Sequence, residues 1–176
     1  MLALALLFLL TANLHLSCRV GVDGEWTPTR YSLADARRGE LAARETAEEI
    51  CPRGARMPRL EEKIILSLRP PDGTARDLSA LILEKVSGVS SLYAVSAEGF
   101  GFGTVADAER LEERLRAALY SAMPAGATHA RFARGVEITP VYGRSGSAMS
   151  PSDMATVVAQ LVPAVFTDRE GNRIIG

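Results

Sequence analysis

The stretch YAVSAEGFGFGTVADAERLEERLRAAL, residues 93–119, contains the pattern that decides the fold. Its first part is typical of a β-hairpin, because Gly99 in the Glu98-Gly99 pair can adopt the positive φ that a tight turn requires. Its second part is typical of an amphipathic helix, because apolar residues recur at steps of three and four. The apolar stripe consists of Leu111, Leu115, Ala118 and Leu119. The stretch therefore predicts a hairpin followed by a helix that packs on a sheet.

An earlier part of the chain repeats this pattern. The segment RVGVDGEW, residues 19–26, aligns with the hairpin, so that Val20 falls on Val95 and Gly24 falls on Gly99. The next segment, SLADARRGELAARETAEEI, aligns with the helix through a shared Ala-Asp-Ala sequence. Self-similarity of this kind predicts a chain built from repeated units.

The helix predicted in the first copy has the weaker apolar stripe. That stripe consists of Leu41, Ala43, Ala47 and Ile50. Gly39 lies inside the same helix, where glycine costs about 1 kcal/mol relative to alanine. We therefore expect this helix to be the less stable of the two.

A strand and a short helix follow in each copy. The segments RLEEKIILSL (residues 59–68) and RFARGVEITPVY (residues 131–142) each predict one strand. Ile64, Ile65 and Leu66 are expected to be buried on both faces of the sheet. The segments TARDLSALILEKV and SPSDMATVVAQLV each predict a short apolar helix that closes the copy.

The four predicted helices share one type of N-terminus, a hydroxyl residue followed three positions later by Asp. The pairs are Ser32 with Asp35, Thr74 with Asp77, Thr104 with Asp107 and Ser150 with Asp153. In such a capping box the hydroxyl accepts a hydrogen bond from a backbone N–H, and the carboxylate favours the positive end of the helix dipole. Because these pairs fall at equivalent places, they support the repeat independently of the apolar pattern.

These patterns predict an α+β fold of two tandem units, each made of a β-hairpin, a helix, a strand and a helix. The first unit covers residues 19–88 and the second covers residues 89–163. Residues 164–176 contain a further hairpin pattern around Glu170-Gly171, which we interpret as the start of a third unit. On this interpretation the sequence is part of a longer protein.

Residues 1–18 form an apolar leader, either a signal peptide or a membrane anchor. Residues 1–17 contain no Lys, Arg, Asp or Glu, and a length near 17 residues is the lower limit for a membrane span. We therefore expect an exported, extracytoplasmic protein that contacts a membrane through this segment. Cys18 follows Ser17 as in bacterial lipoprotein signals, so it could be lipidated; it could also form a disulfide with Cys51 or remain a thiol.

The composition argues against nucleic acid as a partner and against catalysis within this chain. The 20 basic and 21 acidic residues are interspersed, so no basic surface is predicted to bind phosphates. Of the two histidines, His15 lies inside the predicted leader and His129 stands alone before a predicted strand, whereas zinc sites and Ser-His-Asp triads need a histidine with partner side chains. We predict no catalytic residue, no metal ligand and no cofactor.

Three aromatic residues lie on the predicted hairpins. Trp26 is on the first, and Phe100 and Phe102 are on the second. Exposed rings at such positions could stack on a sugar or a peptide, although burial against the helix is the alternative interpretation. They are the candidate ligand-stacking residues.

The second copy, read together with ARFARGVEITPVY and SPSDMATVVAQL, resembles the N-terminal tandem repeats of exported murein hydrolases of Firmicutes. The motifs that carry the resemblance are the Val-x-x-x-Gly hairpin, the Ala-Asp-Ala helix start and the Val-Glu-Ile strand. In that family the repeats follow a signal anchor and precede LysM modules and a lysostaphin-like zinc metallopeptidase domain. The His and Asp motifs of that peptidase are absent from this sequence, so no catalytic residue is transferred.

The resemblance implies a location in the cell envelope and a non-catalytic role as a spacer or as a module that binds the cell wall or a protein. Peptidoglycan and envelope proteins are the expected partners. Two alternatives remain open: an N-terminal part of a peptidoglycan metalloendopeptidase whose catalytic domain lies beyond residue 176, or a pro-segment that masks such a domain.

Overall fold

The computed structural model describes residues 14–174, which form two compact units. The first unit ends at Ser90 and the second begins at Ser91. Both contain a hairpin and two helices in the predicted order, with one strand between the helices in the first unit and two in the second. The predicted α+β fold is therefore confirmed.

The first unit contains one three-stranded sheet in the order β2-β1-β3, with β1 antiparallel to both neighbours. Its elements are β1 (His15–Val22), β2 (Glu25–Trp26), α1 (Leu33–Ile50), β3 (Leu60–Ser67) and α2 (Ala75–Lys85). Asp23 and Gly24 both have positive φ, as expected for a two-residue hairpin turn. Strand β1 begins at His15, inside the stretch assigned to the leader; residues 1–13 lie outside the described part.

The second unit contains two three-stranded sheets, in the orders β5-β4-β7 and β6-β8-β9. Its elements are β4 (Val89–Ala97, whose first two residues precede the unit boundary), β5 (Phe100–Val105), α3 (Ala108–Ser121), β6 (His129–Phe132), β7 (Val136–Arg144), α4 (Pro151–Leu161), β8 (Ala164–Thr167) and β9 (Arg173–Ile174). The prediction of one strand over residues 131–142 is wrong. The chain changes sheets there, because β6 pairs with β8 and the Ala133 N–H donates to the Pro163 carbonyl at 2.7 Å.

The two long helices bury equivalent positions with side chains of different size. In α1 the buried positions are Ala36, Gly39, Ala43 and Ala47, whereas α3 buries Leu111 and Leu115. A Cβ atom at Gly39 would lie 2.7 Å from the Ala75 carbonyl oxygen, so only glycine allows this close approach to α2. The prediction that Leu41 belongs to the buried stripe is wrong, because Leu41 is exposed.

The core of the second unit lies between β4, β5 and the two helices. It consists of Val95, Ala97, Val105, Leu111, Leu115, Met154, Ala155, Val158 and Val162. Complete burial of one such leucine contributes about 1.5–3 kcal/mol to stability. This core fixes the position of α3 through Leu111 and Leu115.

Three of the four predicted helix caps are confirmed. Ser32, Thr74 and Ser150 each accept from the backbone N–H of the Asp three residues later. The cap predicted at Thr104 is wrong, because β5 continues to the buried Val105 and the helix begins only at Ala108. Asp107 caps this helix instead, accepting from the Arg110 N–H at 2.9 Å.

The last predicted hairpin is present as β8 and β9. Its turn is held by Asp168, whose Oδ1 accepts from the N–H groups of Glu170 and Asn172 at 2.9 and 2.8 Å. The hydrogen bond from the Asn172 side chain, and then those from the backbone N–H groups, lower the pKa of the Asp168 carboxyl. The hairpin extends the sheet that contains β6. Residue 175, which the pattern placed in its second strand, lies outside the described residues.

Candidate functional site

A groove of about 480 Å³ lies on the surface of the second unit. Its walls come from α3, β6 and β7, and its lining residues are Glu112, Leu115, Arg116, Leu119, Tyr120, Ala130, Phe132, Val136 and Ile138. All three walls belong to one compact unit. The groove is therefore a property of that unit alone.

The groove arises because β6 and β7 belong to different sheets although they are adjacent in sequence. Phe132 ends β6 and Val136 begins β7, so their side chains line the same groove from two sheets. Helix α3 packs on the core through Leu111 and Leu115. Beyond Leu115, its stripe continues to Leu119, which is only half-buried and lines the groove.

The floor of the groove is apolar and its rim is polar. Phe132, Val136 and Ile138 are half-buried and pack against the core. On α3, Glu112 and Arg116 lie one turn apart, and Tyr120 follows one turn later; all three are exposed. The rim therefore presents a carboxylate, a guanidinium and a phenol beside apolar walls, which suits a ligand with both methyl groups and charges.

The structure brings together two of the three candidate stacking residues. The rings of Phe100 and Phe102 are 5.4 Å apart at an interplanar angle of 67°, an edge-to-face pair. Val95 and Ser96 of β4 pair with Gly103 and Gly101 of β5, so Phe102 is the extra, bulged residue of β5. Phe102 packs against the core while Phe100 remains exposed, so Phe100 offers the accessible ring.

The third candidate, Trp26, belongs to the first unit. Its indole lies over Gly21 on the neighbouring strand, where a Cβ atom would be 3.4 Å from the ring. The ring is also partly exposed to solvent. Trp26 therefore packs on its own hairpin and does not line the groove.

Both cysteines are buried free thiols in the first unit. Cys18 lies within β1, where its backbone N–H and C=O bond to Tyr31 at 2.9 Å. Burial, and to a smaller extent the charge of Glu62, raises the pKa of the Cys18 thiol. The Cys51 thiol donates to the Gly88 carbonyl at 3.1 Å. Cleavage between Ser17 and Cys18 would remove three residues of β1.

Within residues 14–174, no group of three or more His, Cys, Asp and Glu side chains is placed to hold a metal ion. His129 is exposed at the start of β6, with its Nδ1 atom 2.9 Å from the Thr128 hydroxyl. In the same part of the chain, no helix has the length and hydropathy required to cross a membrane.

The sequence patterns did not indicate the groove. They placed Leu119 on the apolar stripe of a helix and Val136 in a single strand over residues 131–142. The signal for a break in the strand was Gly135, because a glycine inside a strand pattern often marks a bend or a bulge.

The chain matches no protein-family model, no curated protein and no solved structure.

Proposed function

We propose that this chain is a non-catalytic, extracytoplasmic module of a peptidoglycan hydrolase or a related envelope protein, and that it binds peptidoglycan through the groove of its second unit. The resemblance of its repeats to those of exported murein hydrolases supports the location and the class of protein. The apolar leader supports export or anchoring in a membrane.

The groove is the observation that carries the binding role. Peptidoglycan stem peptides combine alanine methyl groups with carboxylates and, in many species, an ammonium group. Half-buried apolar walls suit the methyl groups, while Arg116 and Glu112 on the rim can pair with a carboxylate and an ammonium group. Tyr120 adds an exposed ring and a hydroxyl at the same rim.

Cosedimentation of the full chain with purified peptidoglycan tests this proposal. We expect the wild-type chain to sediment, and Arg116→Glu to lower its affinity about tenfold because the charge on the rim is reversed. Tyr120→Ala should also lower the affinity. The matched control is Arg114→Glu, which changes an exposed arginine of the same helix outside the groove.

Sedimentation that is equally strong for wild type, Arg116→Glu and Arg114→Glu would contradict a role for the groove. No sedimentation of a folded wild-type chain would contradict wall binding altogether. The masking alternative would then be tested by fusing residues 19–176 to the N-terminus of a lysostaphin-like peptidase, where it predicts lower activity on soluble substrate than for the peptidase alone.

A further inference from the structure

The first unit exposes a row of aliphatic side chains at one end of its sheet. This row, the aliphatic edge, consists of Leu14, Leu16, Ile64, Leu66 and Leu68. Their exposed fractions range from 38% to 63%. Ile64 and Leu66 belong to β3, which is the edge strand of the sheet in the described residues.

The register of the sheet places these side chains on one face. Leu16 lies opposite Leu66, and Cys18 lies opposite Ile64, in the antiparallel ladder of β1 and β3. Directly opposite residues share a face, and so do residues two apart along a strand. Leu16, Ile64 and Leu66 therefore share the face of Cys18 and Val20. Leu14 and Leu68 continue the row just beyond the two strands.

The helices cover only the other end of that face. Side chains of α1 and α2, including Ala36 and Ile82, border a small cavity together with Val20 and Leu60. Cys18 and Val20 are accordingly buried, whereas Leu16 and Leu66 are more than half exposed. Adjacent exposed aliphatic side chains on an edge strand are unfavourable in water and indicate a binding surface.

The sequence before the aliphatic edge indicates what covers it. Residues 1–13 contain no Lys, Arg, Asp or Glu, and they end directly before Leu14. The exposed leucines therefore directly follow an uncharged apolar segment. Exposed aliphatic side chains in this position suit the interface of a lipid bilayer.

We propose that the aliphatic edge docks on the surface of a lipid bilayer and holds the first unit against the membrane. The docked form retains the leader, because cleavage before Cys18 would remove Leu14 and Leu16. This inference goes beyond the proposed function, since peptidoglycan binding by the second unit does not require the first unit to touch lipid.

Quenching by brominated lipids tests the proposal on the full chain, reconstituted in vesicles of phosphatidylcholine and phosphatidylglycerol. In a Trp26→Phe background, a single tryptophan is introduced by Leu66→Trp or, as the matched control, by Leu161→Trp in α4. Both leucines are exposed in the folded chain. We expect quenching at Leu66→Trp to exceed that at Leu161→Trp by about threefold or more, because only the former lies at the lipid interface.

Equal quenching at the two positions would overturn the proposal. So would blue-shifted emission at Leu66→Trp without quenching, because this would show that protein, such as a second copy of the chain, covers the edge. If circular dichroism shows that Leu66→Trp perturbs the fold, Ile64→Trp provides the same readout from the same face. Cosedimentation of each variant with peptidoglycan separates a failure of this inference from a failure of the proposed function.

Discussion

Cys18 and Ile64 lie directly opposite each other in the β1–β3 ladder, yet Cys18 is fully buried and Ile64 is 63% exposed. At Cys18, the central strand β1 has β3 on one side and the segment around Tyr31 on the other. The backbones of Cys18 and Tyr31 are hydrogen-bonded to each other. Within residues 14–174, no strand pairs with the outer side of the edge strand β3 at Ile64. One pair of neighbours therefore marks where the core of the first unit ends and its accessible surface begins.

The burial of Cys18 predicts slow thiol chemistry in the folded chain. Because burial raises the pKa of the Cys18 thiol, little thiolate is available to react near neutral pH. Cys51 is also buried and donates to the Gly88 carbonyl. We expect iodoacetamide to modify neither cysteine appreciably in the native chain and both in urea, as measured by mass spectrometry. Failure to alkylate either residue in urea until a reductant is added would show a disulfide and contradict the structure.

Gly39→Ala is expected to destabilise the first unit although alanine favours helices. A Cβ atom there would lie 2.7 Å from the Ala75 carbonyl oxygen and 3.0 Å from the Leu78 Cβ. Overpacking of this kind costs about 1–3 kcal/mol. Urea denaturation measures the loss in the free energy of unfolding.

The matched control for this substitution is Ala42→Gly, at an exposed position of the same helix. It should lower the free energy of unfolding by about 1 kcal/mol through helix propensity alone. If Gly39→Ala instead raised the free energy of unfolding by about 1 kcal/mol, the value expected from helix propensity alone, α1 and α2 could not be packed as closely as the structure shows.

The start of α3 can be tested by comparing Thr104→Ala with Asp107→Ala. Asp107 is the residue whose side chain caps the helix, so its removal should cost about 1 kcal/mol. Thr104 lies in β5, where it pairs with Ala94 of β4, and its replacement should change stability by no more than about 0.5 kcal/mol. Urea denaturation monitored by circular dichroism gives the free energy of unfolding of both variants. A larger loss of this free energy for Thr104→Ala than for Asp107→Ala would contradict the structure and support Thr104 as the cap.

The capping box of α2 predicts a dependence of stability on acid pH. The Thr74 hydroxyl and the Thr74 N–H donate to the Asp77 carboxylate at 2.7 and 3.0 Å, and they lower the pKa of that carboxyl below its ordinary value of 3.8. A group with a lowered pKa stabilises the folded state above its unfolded pKa, and this contribution is lost as the pH falls through its folded pKa. We expect Asp77→Asn to be less stable than wild type at neutral pH.

This difference in stability between Asp77→Asn and wild type should disappear when the pH falls below the folded pKa of Asp77. The side chain at position 77 is then neutral in both proteins. Thermal denaturation across this pH range measures the difference, and an NMR titration of the Asp77 carboxyl gives the pKa directly. A difference that is independent of pH would show that the charge of Asp77 does not contribute.

Local patterns predicted most of the fold. Gly24 and Gly99 identified the two hairpin turns, and the pairs at Ser32, Thr74 and Ser150 identified three helix starts, because turns and caps depend on a few adjacent residues. The amphipathic stripe likewise placed Leu111 and Leu115 in the core.

The errors concern contacts between elements that are distant in sequence. Gly39 was interpreted as a weak point of α1, because the approach of α2 at Ala75 cannot be read from helix periodicity. Ile64 and Leu66 were expected to be buried, because an apolar run does not show where the covering helices end. The groove was missed for the same kind of reason, since it requires the chain to change sheets between Phe132 and Val136.

An NMR titration of the ¹⁵N-labelled chain with a soluble peptidoglycan fragment, a disaccharide with its stem peptide, tests binding by the groove directly. If the groove binds the fragment, the amide signals that shift belong to residues 112–120 of α3 and to the groove-lining ends of β6 and β7, around Phe132 and Val136. Absence of shifts at saturating fragment, or shifts confined to the first unit, would contradict binding by the groove.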